Sequence, residues 1–560
     1  MKTIKYITLA AAALTFCSCN DFLDLDPQGQ DTTASYMNTE KNAITQINGI
    51  YDLLGQSEGR GPDDQWMDHH YEFFFGSILS DDSEKGSKPA DKTDLIDWLN
   101  WNFDGNFVDS KAFWVHGFWG VSRCNNALSG LESSTIDEAI KTRLKGEALF
   151  LRGYYYFYLL RHFGGVPLFD APLPVSQYGN VPRGTVHETL EFIIKDFDDA
   201  AKILPTRSKY AAADLGRATS GAALAFEARV LMYQAGIDAE ADEAATWQKM
   251  YNCTEAIKKT HQYQLLGNFA KLFEIETKNC VESVFEIQTY ENGTPDAPTS
   301  TGVAYCLFQG NRKANEGANI GWGFNNPNQD LVDAFDPTDP RLSCTVYGIG
   351  FNSGILYGQK MEYDRAQMST NYFNRKAALS YKPVVDKSVD FDIMLMRYAD
   401  VLLMDAEAAY HVNKPDIAQA DLKLVRERAK GSTLCKGYAE GDNAGFPTPD
   451  TTPNIDTNTS TLTGSALLDA IWKERRLELA MENLRTWDLI RQGRYLDVVS
   501  KVKDTDRVGN GDGEEVRYTN FKANCEKHCL GTADGVKVPV PVMTIPSTEI
   551  TAWNLTQNPY

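Results

Sequence analysis

The chain has 560 residues, more than one hydrophobic core can organise, so several domains or one long helical array are expected. Hydrophobic residues make up 42% and charged residues 23%, which excludes wholesale disorder. Against 55 Lys and Arg stand 76 Asp and Glu; the formal charge of −21 repels phosphate backbones and speaks against nucleic-acid binding.

Lys2 and Lys5 precede an apolar stretch from Tyr6 to Phe16, the length of a signal-peptide core and too short to span a bilayer. Ser18 before Cys19 resembles a bacterial lipobox, in which the cysteine is lipidated and becomes the first residue of the mature chain, although Phe16 and Cys17 depart from that pattern. An ordinary secretory signal with incidental cysteines is the alternative. No later segment approaches the 18 apolar residues of a membrane span, which implies a soluble body on a tether. Of the ten cysteines, the eight beyond Cys19 are scattered; export permits bridges, but the spacing names none.

Asp21 to Gln30 reads as an acidic tether. Thr39 is placed to cap a helix that runs through Leu54 and is closed by Gly55. A second helix is expected over Ala112–Leu131 and a third over Glu147–Phe163, stopped by Gly164, Gly165 and Pro167. The third is apolar almost all the way round, so it should be buried between neighbours. Thr185–Ile203 is an amphipathic helix with Val186, Leu190, Ile193, Ile194 and Phe197 on one face. Two helix pairs then resemble each other: Ala225–Gly236 with Trp247–Thr260, and Tyr398–Tyr410 with Ala418–Ala429. Their length of about 34 residues suggests divergent tetratricopeptide-like units, with chance similarity of buried helices as the rival. Between the pairs, Gln262 to Asp390 is rich in Gly, Asn, Pro and aromatics, and Ser283–Gln288 reads as a short strand. A second irregular stretch runs from Gly437 to Thr463.

Enzyme motifs fare poorly. Gly55-Gln-Ser57-Glu-Gly59 matches a nucleophile elbow literally, but a helix precedes it and loop chemistry follows. Glu474, Glu478 and Glu482 share one helix face at one-turn spacing. Arg475, Arg476 and Arg485 interleave with them, so an ion-pair network is expected rather than a glycosidase pair. His69-His70 and Cys525 to Cys529 lack the spaced partners of a metal site. Asp504, Asp506, Asp512 and Glu515 follow calcium-loop spacing, but Val508 removes one oxygen ligand and Tyr518–Phe521 does not read as the exiting helix. No cofactor is expected, with calcium at this loop as the one open possibility.

Five motifs in order resemble the RagB/SusD family of surface glycan-binding lipoproteins. They are Cys19-Asn-Asp-Phe-Leu-Asp-Leu-Asp-Pro27; Arg152-Gly-Tyr-Tyr-Tyr-Phe157 with Phe163-Gly-Gly-Val-Pro167; Arg397 to Glu407; Glu474 to Glu482 with Arg485 and Trp487-Asp-Leu489; and Pro541, Ile545-Pro546 and Leu555 to Pro559. Asn483 departs from the glycine common in that family, and only a local helix effect is expected. The resemblance implies a mostly α, SusD-like fold: a tetratricopeptide-like scaffold with irregular, short-strand insertions carrying the binding face. It divides the chain into a leader (1–18), a lipidated tether (19–38), a helical region (39–261), a ligand-binding insertion (262–390) and a C-terminal helical region with its tail (391–560). It also implies oligosaccharide capture without catalysis, a SusC-like TonB-dependent transporter as partner, and a lipid anchor through Cys19 at the outer membrane, facing the cell surface. A peptide or other nutrient ligand, or a surface glycoside hydrolase, are the competing readings.

Aromatic faces suit sugar C–H surfaces, and rigid rings cost little to order. The insertion supplies Tyr290, Tyr305, Phe308, Trp322 and Phe324, with Asn311, Asn325 and Asn326 nearby. Gly321-Trp322-Gly323 reads as an exposed loop tip just before an expected helix at Asn328–Phe335, and Trp322 with Tyr305 is the expected stacking platform. The resemblance adds a second binding loop, Ser80 to Lys85 with Asp82, and the Trp98/Trp101 pair.

Overall fold

A computed structural model describes residues 36–55, 71–102, 104–289, 303–312, 321–350, 355–356, 359–378, 391–435, 452–502 and 514–560. Its long helices are α1 (Glu40–Gly55), α2 (Val108–Ser133), α3 (Glu138–Phe163), α4 (Val186–Ile203), α5 (Ser220–Ile237), α6 (Glu243–Thr260), α7 (Tyr398–His411), α8 (Pro415–Lys430) and α9 (Gly464–Glu478). Consecutive members from α2 to α8 pack side by side, and α9 rests on both α7 and α8. The helix pairs α5–α6 and α7–α8 are the two sequence repeats, and α6 lies directly against α7. The chain between them leaves the stack and returns to it.

Local chemistry sets the helix limits. Thr185 accepts from the Glu188 backbone N–H at 3.0 Å while the Glu188 carboxylate receives the Thr185 N–H at 2.8 Å, a reciprocal cap on α4. The α3 helix begins nine residues earlier than its apolar run, because Asp137 caps it by accepting from Ala139 and Ile140. Its all-round apolar character has the expected cause: Tyr154 to Tyr158 are buried on every side, between α2, α4 and α1. Gly120 lets α2 approach, since a Cβ there would stand 2.2 Å from the Tyr155 ring. Arg152 fastens three helices, binding Asp196 of α4 at 2.7 and 2.8 Å and Asn125 of α2 at 2.8 Å.

Short strands order the excursion and its surroundings, among them β1 (Ser83–Gly86), β2 (Ser283–Ile287), β3 (Phe324–Pro327), β4 (Val346–Gly348), β5 (Tyr372–Asn374) and β6 (Ile393–Arg397). They pair antiparallel as β1–β3, β2–β6 and β4–β5. The β2–β6 ladder joins the two ends of the excursion where it meets the scaffold.

The Glu474, Glu478 and Glu482 acids do form an ion-pair network, with partners other than those their sequence neighbours suggest. Glu478 is enclosed by Arg341, Arg397 and Arg428, Glu474 by Arg341 and Arg426, and Glu482 by Arg397 and Lys376. Glu482 lies past the end of α9. Arg475, Arg476 and Arg485 turn to Asp400 and Asp488, to Asp82 and Asp330, and to Asp81 respectively. Tyr518–Phe521, expected outside a helix, belongs to the helix Glu514–Lys527.

Candidate functional site

The β1–β3 pairing brings together segments more than two hundred residues apart, with Gly86 opposite Phe324 and Ser83 opposite Pro327. Gly86 has φ +76°, and a Cβ there would stand 2.3 Å from the Gly323 carbonyl oxygen, so only glycine fits. The Trp322 segment is strapped down by backbone bonds: Trp322 N–H to Leu307 at 2.7 Å, Gly323 N–H to Gly310 at 2.9 Å, and Ser87 N–H to Gly323 at 2.7 Å. Its indole meets Phe308 edge to face, at 4.6 Å and 86°.

An open cleft of about 490 Å³ lies beside this strap. Phe308, Trp322 and Phe324 form its apolar wall, and Ala90, Asp91, Lys92 and Arg312 form its rim. The rim is fixed by hydrogen bonds. Arg312 donates to Ser87 Oγ at 2.6 Å and pairs with Asp91, which also accepts from Ser87 at 3.0 Å. Lys85 Nζ holds the loop from inside, donating to the carbonyls of Lys88 and Asp91 at 2.9 and 2.8 Å. Slight burial pushes the Asp91 carboxyl up, but the Ser87 hydroxyl and the Arg312 guanidinium outweigh it and hold it below the usual carboxylate value. The cleft therefore offers a flat apolar face, two cationic donors and one ionised acceptor.

Of the residues expected to bind, Trp322 and Phe324 line this cleft, Trp322 half-buried and Phe324 nearly enclosed at 4% exposure. Tyr305 does not join Trp322 there. It is buried, stacks against Phe391 at 6.2 Å, and borders a separate narrow pocket with Lys376 and Glu482. Asn325, at φ +53°, is wholly buried, where its side chain accepts from Ser83 at 2.6 Å and donates to Gln309 at 2.8 Å. Asp82 is buried on Arg476, 2.8 Å from its Nε. Trp98 and Trp101 are 0% and 1% exposed around Phe75, with Trp101 Nε1 donating to the Tyr495 hydroxyl at 3.1 Å. They are core residues: Trp98 is on the buried face of the helix Asp94–Leu99, and Trp101 is folded inward by the turn that follows it. Tyr290, Cys19, Ser57, His69, His70, Asp504, Asp506 and Asp512 lie outside the described residues, as does the Glu515 side chain. The sequence does not single out Asp91, Lys92 and Arg312; it is the strand pairing that brings Ala90, Asp91 and Lys92 to the cleft beside Trp322.

The SusD family model matches residues 281–560, and a model described as "Starch-binding associating with outer membrane" matches residues 21–232. SusD-like protein P38 of Formosa agariphila is 25% identical over 517 residues, covering 90% of this chain and 94% of that protein. A SusD-like protein of Bacteroides ovatus is 24% identical over 522 residues, covering 88% of this chain and 83% of that one. Among solved structures, surface glycan-binding protein A from Bacteroides thetaiotaomicron in complex with laminarihexaose superposes with a TM-score of 0.69 at 20% identity, covering 93% of this chain and 99% of the other. A laminarin-binding SusD-like protein gives 0.67 at 24% identity, covering 94% of this chain and 100% of that one. The mostly helical fold is thus the SusD-like fold, and the chain belongs to the SusD family.

Proposed function

We propose that this protein captures oligosaccharides at the outer surface of the cell, without cleaving them, and passes them to a SusC-like TonB-dependent transporter. Cys19 carries the lipid that anchors it to the outer membrane. The observation that carries this reading is the cleft at Trp322: a partly exposed indole beside a rim that supplies both donors and an acceptor. Sugar rings present C–H faces to the indole and hydroxyls to Arg312, Lys92 and Asp91. The relatives support the ligand class, since one solved structure holds laminarihexaose and another is of a laminarin-binding protein. Binding without cleavage fits the rim chemistry. Glycoside hydrolysis calls for two carboxyls flanking the bond, one kept protonated, whereas Asp91 is the single carboxylate among the described lining residues and is held ionised.

Isothermal titration with laminarihexaose and maltohexaose tests this. Removing an aromatic anchor costs about 2 kcal/mol, or roughly thirtyfold in Kd. Trp322→Ala should lose that affinity with its melting temperature within a few degrees of wild type. Unchanged affinity in the folded variant removes the cleft from the reading, and release of shorter sugars by the wild type removes non-catalysis.

A further inference from the structure

Sequence spacing pairs none of the cysteines, but the fold brings two of them together. Cys344 lies in the helix Pro340–Thr345 of the excursion, and Cys435 lies just beyond α8 of the scaffold. They are 3% and 6% exposed and share one small apolar cluster with Phe269, Ala270 and Leu272. Ser343 bridges them: its hydroxyl accepts from the Cys435 backbone N–H at 3.0 Å and lies 3.7 Å from Cys344 Sγ. Both are free thiols, and the Cys344 thiol donates to the Pro340 carbonyl at 3.5 Å.

We infer that Cys344 and Cys435 are joined by a disulfide in the exported protein. The leader-like N-terminus and the outer-membrane description of the matched family place the chain in an oxidising compartment, where such bonds persist. In the folded protein the two sulfurs are chemically unequal. Burial alone would raise the Cys435 thiol, but the neighbouring Cys344 thiol and the Arg375 guanidinium bring it below the usual thiol value. Burial pushes Cys344 well above that value.

Bond formation consumes a protein disulfide of the envelope's thiol oxidases. The Cys435 thiolate attacks one sulfur of that disulfide, forming a mixed disulfide and expelling the other sulfur as a thiolate. Cys344 then gives up its proton and attacks the Cys435 sulfur, releasing the second oxidant thiol. Two thiols here lose two electrons and two protons, and the oxidant's disulfide becomes a dithiol. Both sulfurs lie under the apolar cluster in the folded state, so the exchange precedes closure of that cluster and the finished bond is shielded from reductant. The link closes a loop of about ninety residues and fixes the excursion that carries Trp322 to the end of α8.

The full chain, exported to a bacterial periplasm through its own leader, is denatured in iodoacetamide without reductant, digested and analysed by mass spectrometry. The expected result is a peptide pair joined through Cys344 and Cys435, both escaping alkylation until reductant is added. The Cys344→Ser variant should free Cys435 for alkylation. Quantitative alkylation of both residues in the exported wild type, or linkage of either to a different cysteine, overturns the inference.

Discussion

Asp400 gives the sharpest stability test, because it is where α5, α7 and α9 are tied together. It sits in the first turn of α7, 1% exposed, between Arg229 of α5 and Arg475 of α9, and Arg475 also donates to Asp488 at 2.7 Å. Burial by itself would raise its carboxyl; Arg475 and Arg229 outweigh that and bring it from the ordinary 3.8 to about 2. At 1.4 kcal/mol per pH unit this gap is about 2 kcal/mol of folding free energy at neutral pH. The folded value lies below the unfolded one, so this stability is fully present above pH 4 and is lost as the pH falls through 4 towards 2, about half of it by pH 3. Asp400→Asn keeps the shape but leaves two buried guanidinium groups short of a counter-charge, and should cost about 3–5 kcal/mol at pH 7. Urea unfolding followed by tryptophan fluorescence, from pH 7 to pH 3, measures both quantities. The gap between wild type and variant should narrow as the pH falls. A gap under about 1 kcal/mol at pH 7, or one that is constant with pH, refutes the reasoning.

Two further substitutions separate the cleft from its support. Gly86→Ala forces a Cβ onto the Gly323 carbonyl and pushes β1 away from β3. It should cost about 1–3 kcal/mol of stability and weaken glycan binding by about tenfold in titration; wild-type affinity would show that the cleft does not depend on this pairing. Trp101→Ala empties a core site packed by Phe75 and Tyr495, so a loss of about 3–5 kcal/mol in urea unfolding is expected. A drop in affinity at unchanged stability would instead return Trp101 to the ligand.

Much of the scaffold was legible because its signals are local. The all-round apolar run of α3, the Thr39 cap of α1 and the repeat of helix pairs each act within one or two helices, where spacing decides the outcome. The site was legible only in part, since aromatic character gives flatness but not exposure. Trp98, Trp101, Tyr305 and Trp322 are all aromatic candidates by sequence; the first three are buried and Trp322 is partly exposed, beside the pairing of strands distant in sequence. The ion pairs failed in the same way. Arg475 stands three residues before Glu478, close enough to pair along the helix, but the fold turns it to Asp400 and Asp488, and Arg476 to Asp82 and Asp330. The partners of Glu474 and Glu478 are Arg341, Arg397, Arg426 and Arg428, which only the tertiary fold brings near. Asn483, expected to have a local effect alone, takes φ +64°, which asparagine tolerates, and accepts from the Ser77 hydroxyl at 2.8 Å.

Asp82 shows how the scaffold and the cleft are one mechanical object. It was read as a ligand contact, yet its work is beneath the site. Arg476, near the end of α9, binds Asp82 at 2.8 Å and Asp330 at 2.6 Å, while Arg485 binds the adjoining Asp81 at 2.7 Å. The two Arg476 pairs pin the start of β1 and the helix Gln329–Ala334 after β3 to the same scaffold helix, so both halves of the cleft take their position from α9. A site held this way is already shaped before a ligand arrives, and little ordering cost is left to subtract from affinity. The acidic residues next to the cleft therefore fix where Trp322 stands, and the side chains that line the opening are those of Ala90, Asp91, Lys92 and Arg312.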